Sequence, residues 1–182
     1  RKWSNIICGN LSNDSLWYWG NIEAIALGVR DTLGRPMIWA GGFSSSTGTA
    51  RLFRTTQSNA RPDTTMPGWV AASSGLFAGS VSAIAPDRTD SNLCFAATST
   101  SRVTPHVMKT TDGGKHWKTI AGNLPNTPVS ALVIDTLAEG GDPLLRDRVL
   151  FAGTDVGVFA TTDGGTTWAQ LGTGLPRAVI ND

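Results

Sequence analysis

Long apolar runs are missing from this sequence. No stretch approaches about 18 consecutive apolar residues, so no segment reads as a membrane-spanning helix. Charge is scarce as well, at 16% of 182 residues against the roughly 25% of an ordinary soluble domain. The 15 basic and 14 acidic residues leave a net charge of +1, which argues against a dedicated nucleic-acid binder, because such a protein needs a basic field to displace counterions. Cysteine is nearly absent: Cys8 and Cys94 lie far apart and make no disulfide framework, so both are expected as unpaired small hydrophobes. Heptads are lacking, and 21 glycines with 9 prolines count against a helical bundle. The two histidines, His106 and His116, have no cysteine or carboxylate at ligand spacing, so no zinc site is expected. Nucleophile elbows, phosphate loops, dinucleotide fingerprints and EF-hand loops are all missing, and no cofactor is expected. The chain opens on Arg1-Lys2-Trp3, without an initiator Met or the apolar region of a signal peptide, and stops in mid-pattern at Ile180-Asn181-Asp182. The expectation is a piece of a longer protein.

What the sequence does contain is enough apolar residue, 40%, to build a core, and a repeat. Thr110-Thr111-Asp112-Gly113-Gly114-Lys115-His116-Trp117 returns as Thr161-Thr162-Asp163-Gly164-Gly165-Thr166-Thr167-Trp168. Each copy is followed by a turn, Gly122-Asn123-Leu124-Pro125 or Gly172-Thr173-Gly174-Leu175-Pro176. Twelve residues beyond Trp69, Trp117 and Trp168 stand Val81, Val129 and Ile180, each opening an apolar run. From Trp3 to Ile22 the same interval is longer by seven residues, which fall around Trp17-Tyr18-Trp19.

Each period holds four short β-rich segments. The first is Ile22–Leu27, Val81–Ala85 or Val129–Ile134, and the second is Met37–Ala40, Leu93–Ala97 or Val149–Ala152. The third is Arg51–Arg54, His106–Lys109 or Val156–Ala160, and the fourth starts at the repeat tryptophan. Lengths of 4–6 residues with Gly, Asp and Pro punctuation predict strands. Four strands in about 50 residues is the size of a propeller blade. In the repeated hairpin, Thr110, Asp112, Gly114 and Trp117, like Thr161, Asp163, Gly165 and Trp168, have structural work to do. The aspartate accepts bonds from backbone N–H groups a few residues on, the glycines supply positive φ, and the indole covers the turn.

These segments resemble the Asp-box, or BNR, repeat of β-propellers, which sialidases, sortilin-type ectodomains, xyloglucan-cleaving endoglucanases and photosystem assembly factors carry. Gly153-Thr154-Asp155-Val156-Gly157-Val158-Phe159-Ala160-Thr161-Thr162-Asp163-Gly164-Gly165 looks especially like large secreted bacterial BNR proteins. Thr55–Trp69 is a weaker copy, with Gln57 in the aspartate slot. The resemblance implies an all-β chain that is a segment of about three to four blades, belonging to a ring of roughly six to eight or more. Residues 1–20 then end one blade and add the insertion; 21–80, 81–128 and 129–179 form three blades; 180–182 start the next. The implied partners are the rest of the propeller or other chains that close the ring. The implied location is extracellular, periplasmic or cell-surface.

In such propellers the loops between strands two and three share a face with those leading into the next blade, and that face usually holds the ligand. Three features fall there. Trp17, Tyr18 and Trp19 are candidate ligand-stacking rings, or else cover the blade beneath. Asp155 matches the start of the Thr-Asp-(Ile/Val)-Gly-Gly stretch whose aspartate is catalytic in xyloglucan-cleaving endoglucanases; Val158 replaces its second glycine, and a turn-making role is the alternative. Glu23 begins an innermost strand, where its counterparts are Ser82, Ser130 and Asn181, and could face a central channel or be a solvated side chain. Glycoside hydrolysis needs two carboxylates roughly 5–9 Å apart. Ser44–Thr49 and Thr98–Arg102 read as flexible polar loops on the same face. A sialidase is disfavoured, because Gly34-Arg35-Pro36 is not the Arg-Ile-Pro motif. Asn10 and Asn13 head glycosylation sequons, which matter only in a eukaryotic secretory protein. The reading that follows is an interaction scaffold for protein or glycan, with part of a β-glucan-type glycoside hydrolase as the alternative.

Overall fold

A computed structural model describes residues 20–30, 32–44, 48–55, 69–102, 104–135 and 149–172. The described residues form three four-stranded antiparallel sheets, each wound in sequence order. The first contains β1 (Gly20–Arg30), β2 (Pro36–Ser44), β3 (Thr49–Thr55) and β4 (Trp69–Ala71). The second contains β5 (Ala83–Pro86), β6 (Cys94–Ala97), β7 (Val107–Thr110) and β8 (Lys118–Thr119). The third contains β9 (Val129–Ile134), β10 (Leu150–Thr154), β11 (Gly157–Thr161) and β12 (Ala169–Gln170). No described helix is long and apolar enough to cross a membrane.

The registers make the three sheets superposable in sequence. The row Ala26–Trp39–Arg54 of the first sheet corresponds to Ala85–Phe95–Lys109 of the second and Val133–Phe151–Ala160 of the third. The sheets pack face to face as blades. One core lies between the first and second, where Trp39 and Leu52 meet Ile84, Cys94 and Met108. Another lies between the second and third, where Phe95 and Val107 meet Leu132, Leu150 and Phe159. The middle blade is therefore covered on both faces, and β5 and β6 are buried at every residue. That is why Leu93–Ala97 is continuously apolar, whereas β1 alternates Glu23, Ile25 and Leu27 in solvent with Ala24 and Ala26 inside. Full burial of a ring the size of Phe95 contributes about 1.5–3 kcal/mol.

The entry to the second blade's inner strand differs from the sequence expectation for a physical reason. Val81 does not open β5; its N–H bonds back to Gly42 O of the preceding blade, at 3.4 Å. Val129 repeats the move, donating to Thr98 O at 3.0 Å. In the second blade the first residue of the run is thus spent on the neighbouring blade before pairing within its own sheet begins, whereas Val129 also opens β9 opposite Thr154. Thr98–Arg102, expected as a flexible loop, is pinned: Thr98 is fully buried, and Ser80 N–H donates to Thr100 Oγ1 at 2.9 Å.

The two aspartate hairpins are near copies. Thr110 Oγ1 donates to Asp112 Oδ1 at 2.8 Å and accepts Gly114 N–H at 2.9 Å. Asp112 Oδ1 also accepts the N–H groups of Lys115 and His116, both at 3.0 Å. Thr161 bonds likewise to Asp163 and Gly165 at 2.8 and 3.0 Å, and Thr167 N–H donates to Asp163 Oδ1 at 2.9 Å. Each indole then crosses to the preceding blade. Trp117 Nε1 donates to Ala72 O at 2.7 Å, and Trp168 Nε1 to Ile120 O at 2.9 Å. In the first blade Thr55, the counterpart of Thr110 and Thr161, accepts Ile38 N–H at 3.0 Å. Gln57 lies outside the described residues.

Candidate functional site

Antiparallel strands of this order put the β2–β3, β6–β7 and β10–β11 connections at one end of the molecule, together with the starts of the inner strands β1, β5 and β9. The aspartate hairpins close β7–β8 and β11–β12 at the opposite end. At the first end the inner strands border a groove of about 520 Å³, lined by Glu23, Ile25, Ser82, Ser99, Ser130 and Leu132 among others. The three positions equated from the sequence, Glu23, Ser82 and Ser130, thus come together in one cavity. Their equivalent places explain it: each follows directly on the apolar residue, Ile22, Val81 or Val129, that opens its run.

Glu23 is exposed and sits at an irregularity in β1, between Ile22 and Ala24. Its Oε2 accepts a hydrogen bond from Ser80 Oγ, on the segment leading into the second blade. Ser82 Oγ donates to Val129 O at 2.6 Å, joining the second and third blades beneath the groove. Ser99 comes from the β6–β7 connection, which His106 anchors: its Nδ1 lies 3.3 Å from Thr98 O and its Nε2 2.8 Å from Asn126 Oδ1. Among the described residues the groove therefore carries one carboxylate amid hydroxyls, flanked by Ile25, which is 59% exposed. Such a surface can accept hydrogen bonds from hydroxyl or amide groups and cover an apolar patch of the same ligand. Sequence reasoning passed over Ser80, whose only signal was its place beside Gly79, and reached Ser99 only as a member of the hydroxyl-rich loop Thr98–Arg102.

Asp155 occupies the two-residue turn between β10 and β11, where Thr154 pairs with Gly157. Thr154 Oγ1 donates to Gly157 O at 2.7 Å and accepts Val156 N–H at 3.2 Å. Asp155 is on the groove's end of the molecule but does not line the groove. Trp17, Tyr18 and Trp19 lie outside the described residues. Among the described residues, no group of three or more His, Cys, Asp or Glu side chains is gathered as a metal site.

At the far end, Asp112 is held well below the ordinary carboxylate range, first by the His116 N–H and then by the His116 ring, whose Nδ1 lies 2.6 Å from Asp112 Oδ2. Asp163 is lowered to about 2, first by the Thr167 hydroxyl and then by the Thr167 N–H. These carboxylates are committed to their own hairpins. Thr110, Asp112, Gly114, Trp117 and their counterparts serve the turns and the blade contacts described above.

No family model matches the sequence. No curated protein matches it either. Solved structures do match in shape. One, described as YCF48 bound to D1 peptide, gives a TM-score of 0.51 at 18% identity over 84% of this chain. Another, the GH74 xyloglucanase from Xanthomonas campestris, gives 0.52 at 12% identity over 86%. The chain spans 40% of the length of the first and 24% of the second. Both are β-propellers, so the three sheets are consecutive blades of a propeller segment.

Proposed function

We propose that the chain is a binding scaffold, an extracytoplasmic propeller segment that displays the loop end around Glu23 to a protein segment or a glycan. The observation that carries this reading is the groove itself: among the described residues, the Glu23 carboxylate, the hydroxyls of Ser82, Ser99 and Ser130 and the exposed Ile25, brought together from three successive blades. Support also comes from the peptide-bound state of one structural neighbour. The test is binding of the whole chain to arrayed glycans and peptides, with Glu23→Gln and Ser82→Val compared with the parent. Loss of affinity by about tenfold in either variant, the scale of one hydrogen bond to a charged acceptor, supports the groove. Equal affinity in all three removes it. Compartment is tested by fractionating the native host.

The second reading is part of a glycoside hydrolase acting on β-glucan-type polysaccharide. Its support is the matching start of a catalytic stretch at Asp155, the carboxylate of Glu23 and the xyloglucanase likeness in fold. Sugar release from xyloglucan by the full protein tests it. Activity that survives both Asp155→Asn and Glu23→Gln excludes these residues from the chemistry.

A further inference from the structure

The inner strands of the three blades share one irregularity, and it falls on the groove residues. In β1 Ile22 faces Gly42 and Ala24 faces Gly41, which leaves Glu23 as an extra residue. In β9 Val129 faces Thr154 and Ala131 faces Gly153, which leaves Ser130 extra. Just ahead of β5, Ser82 N–H donates to Ala97 O at 2.9 Å, while Ala83 faces the same Ala97. Two residues set against one make a bulge, and a bulge re-aims the side chain it adds. Each time the added side chain is polar, and all three line the groove. The carboxylate among them is held in place. Thr100 Oγ1, on the β6–β7 connection, accepts Ser80 N–H at 2.9 Å, and Ser80 Oγ in turn donates to Glu23 Oε2.

The polar groups turned toward a ligand here are acceptors. Ser82 Oγ spends its proton on Val129 O at 2.6 Å and Ser80 Oγ spends its own on Glu23, so both hydroxyls have lone pairs left to offer. Glu23 Oε1 accepts nothing among the described residues. Acceptors gathered around a carboxylate suit a group that carries donors alone. A sugar hydroxyl both donates and accepts, whereas an ammonium has three donors and no acceptor. A guanidinium pairs best as a parallel fork on both carboxylate oxygens, and Ser80 already occupies one of them. The wall beside Glu23 is aliphatic, with Ile25 59% exposed and Leu132 also lining it. A lysine lays its methylene stem along such a wall and keeps its charged head among polar groups. Arg51 of β3 and Arg102 of the β6–β7 connection stand at the same end of their blades but do not line the groove. We infer that the groove is a lysine-recognition site. It takes a lysine side chain from a segment of a partner protein, with the ammonium on Glu23 Oε1 and the serine oxygens and the stem along Ile25. This rests on the groove being the binding face proposed above.

The test offers the whole chain to sets of immobilised hexapeptides that differ only at one fixed position, which is lysine, arginine, Nε-acetyl-lysine, norleucine or glutamate, with glucosamine oligomers beside them. Lysine peptides are expected to be retained about tenfold better than acetyl-lysine or norleucine peptides, the scale of one charge-assisted hydrogen bond, and better than arginine peptides. Glu23→Gln, folded by circular dichroism, should lose that preference. Glu23→Lys should turn it toward the glutamate peptides, a gain that a merely structural role of Glu23 does not produce. Retention that depends on Glu23 but treats lysine like acetyl-lysine, or arginine as well as lysine, overturns the inference and leaves the groove as a binding face. Glucosamine oligomers retained above lysine peptides overturn it in favour of a glycan. Absence of any Glu23-dependent retention, of peptide or glycan, removes the groove reading and this inference with it.

Discussion

Glycine in the aspartate hairpins answers to two constraints at once. Gly114 and Gly165 have φ of +88° and +90°, a region that costs a Cβ-bearing residue strain, and both have the neighbouring blade within 2.4 Å of where a Cβ would be. Gly75 has φ of +76° but open space around it. Gly165→Ala is therefore expected to destabilise by at least about 2 kcal/mol, and Gly75→Ala by about 1 kcal/mol, as read from urea midpoints. Equal costs would show that backbone strain alone matters. The hairpin carboxylates set a pH dependence. Their folded pKa values are depressed, so their contribution is present above the ordinary carboxylate range and is lost as pH falls through the folded values, through about 2 for Asp163. Urea midpoints measured from pH 6 down to pH 2 should fall, and Asp163→Asn should flatten part of that slope. Cys94 is fully buried, and burial pushes its thiol well up, so it is expected to resist alkylation until the chain unfolds. A Cys8→Ser background isolates that reading.

Between elements, the unit of cohesion is the hairpin of one blade gripping the exit of the previous one. Asn123 reinforces this grip once: its Oδ1 accepts Trp168 N–H at 2.6 Å, and its Nδ2 donates to Trp168 O at 3.1 Å. The corresponding residue of the first blade is Gly75, which has no side chain to do this. Asn123→Ala is expected to cost about 1–3 kcal/mol, and Trp168→Phe about 1–2 kcal/mol from the indole bond to Ile120 O alone. If Asn123→Ala shifts the thermal midpoint by less than the scatter of replicate scans, the amide is not a clamp. The elements themselves were legible because each period repeats Gly and Asp punctuation at fixed distance from a tryptophan, and Val129–Ile134 falls where β9 runs. Other strand bounds moved. β1 and β2 run on to Arg30 and Ser44 because their long pairing continues past the apolar stretch. The equivalence of Glu23, Ser82 and Ser130 was readable from spacing; their shared groove was not, since it depends on how three blades fan around an axis. Asn123 and the second hairpin glycine were read as turn residues, because a contact 45 residues away in sequence leaves no local pattern.

At the scale of the molecule, the exposed large apolar side chains among the described residues fall on the two outer blades, Ile25 and Leu27 on the first and Val133 on the third among them. Single substitutions there, such as Val133→Thr, should change the stability of this chain by no more than about 0.5 kcal/mol, whereas Phe95→Ala in the middle blade should cost about 3–5 kcal/mol. Calorimetry on the pair checks the contrast, and comparable losses would mean that Val133 is covered in solution. The grip between blades also has a direction: indole and glycine always reach back toward the part of the chain made earlier. During synthesis on the ribosome, every newly emerging module thus finds its mooring already built, and the fold can be laid down vectorially, one turn of the wheel at a time.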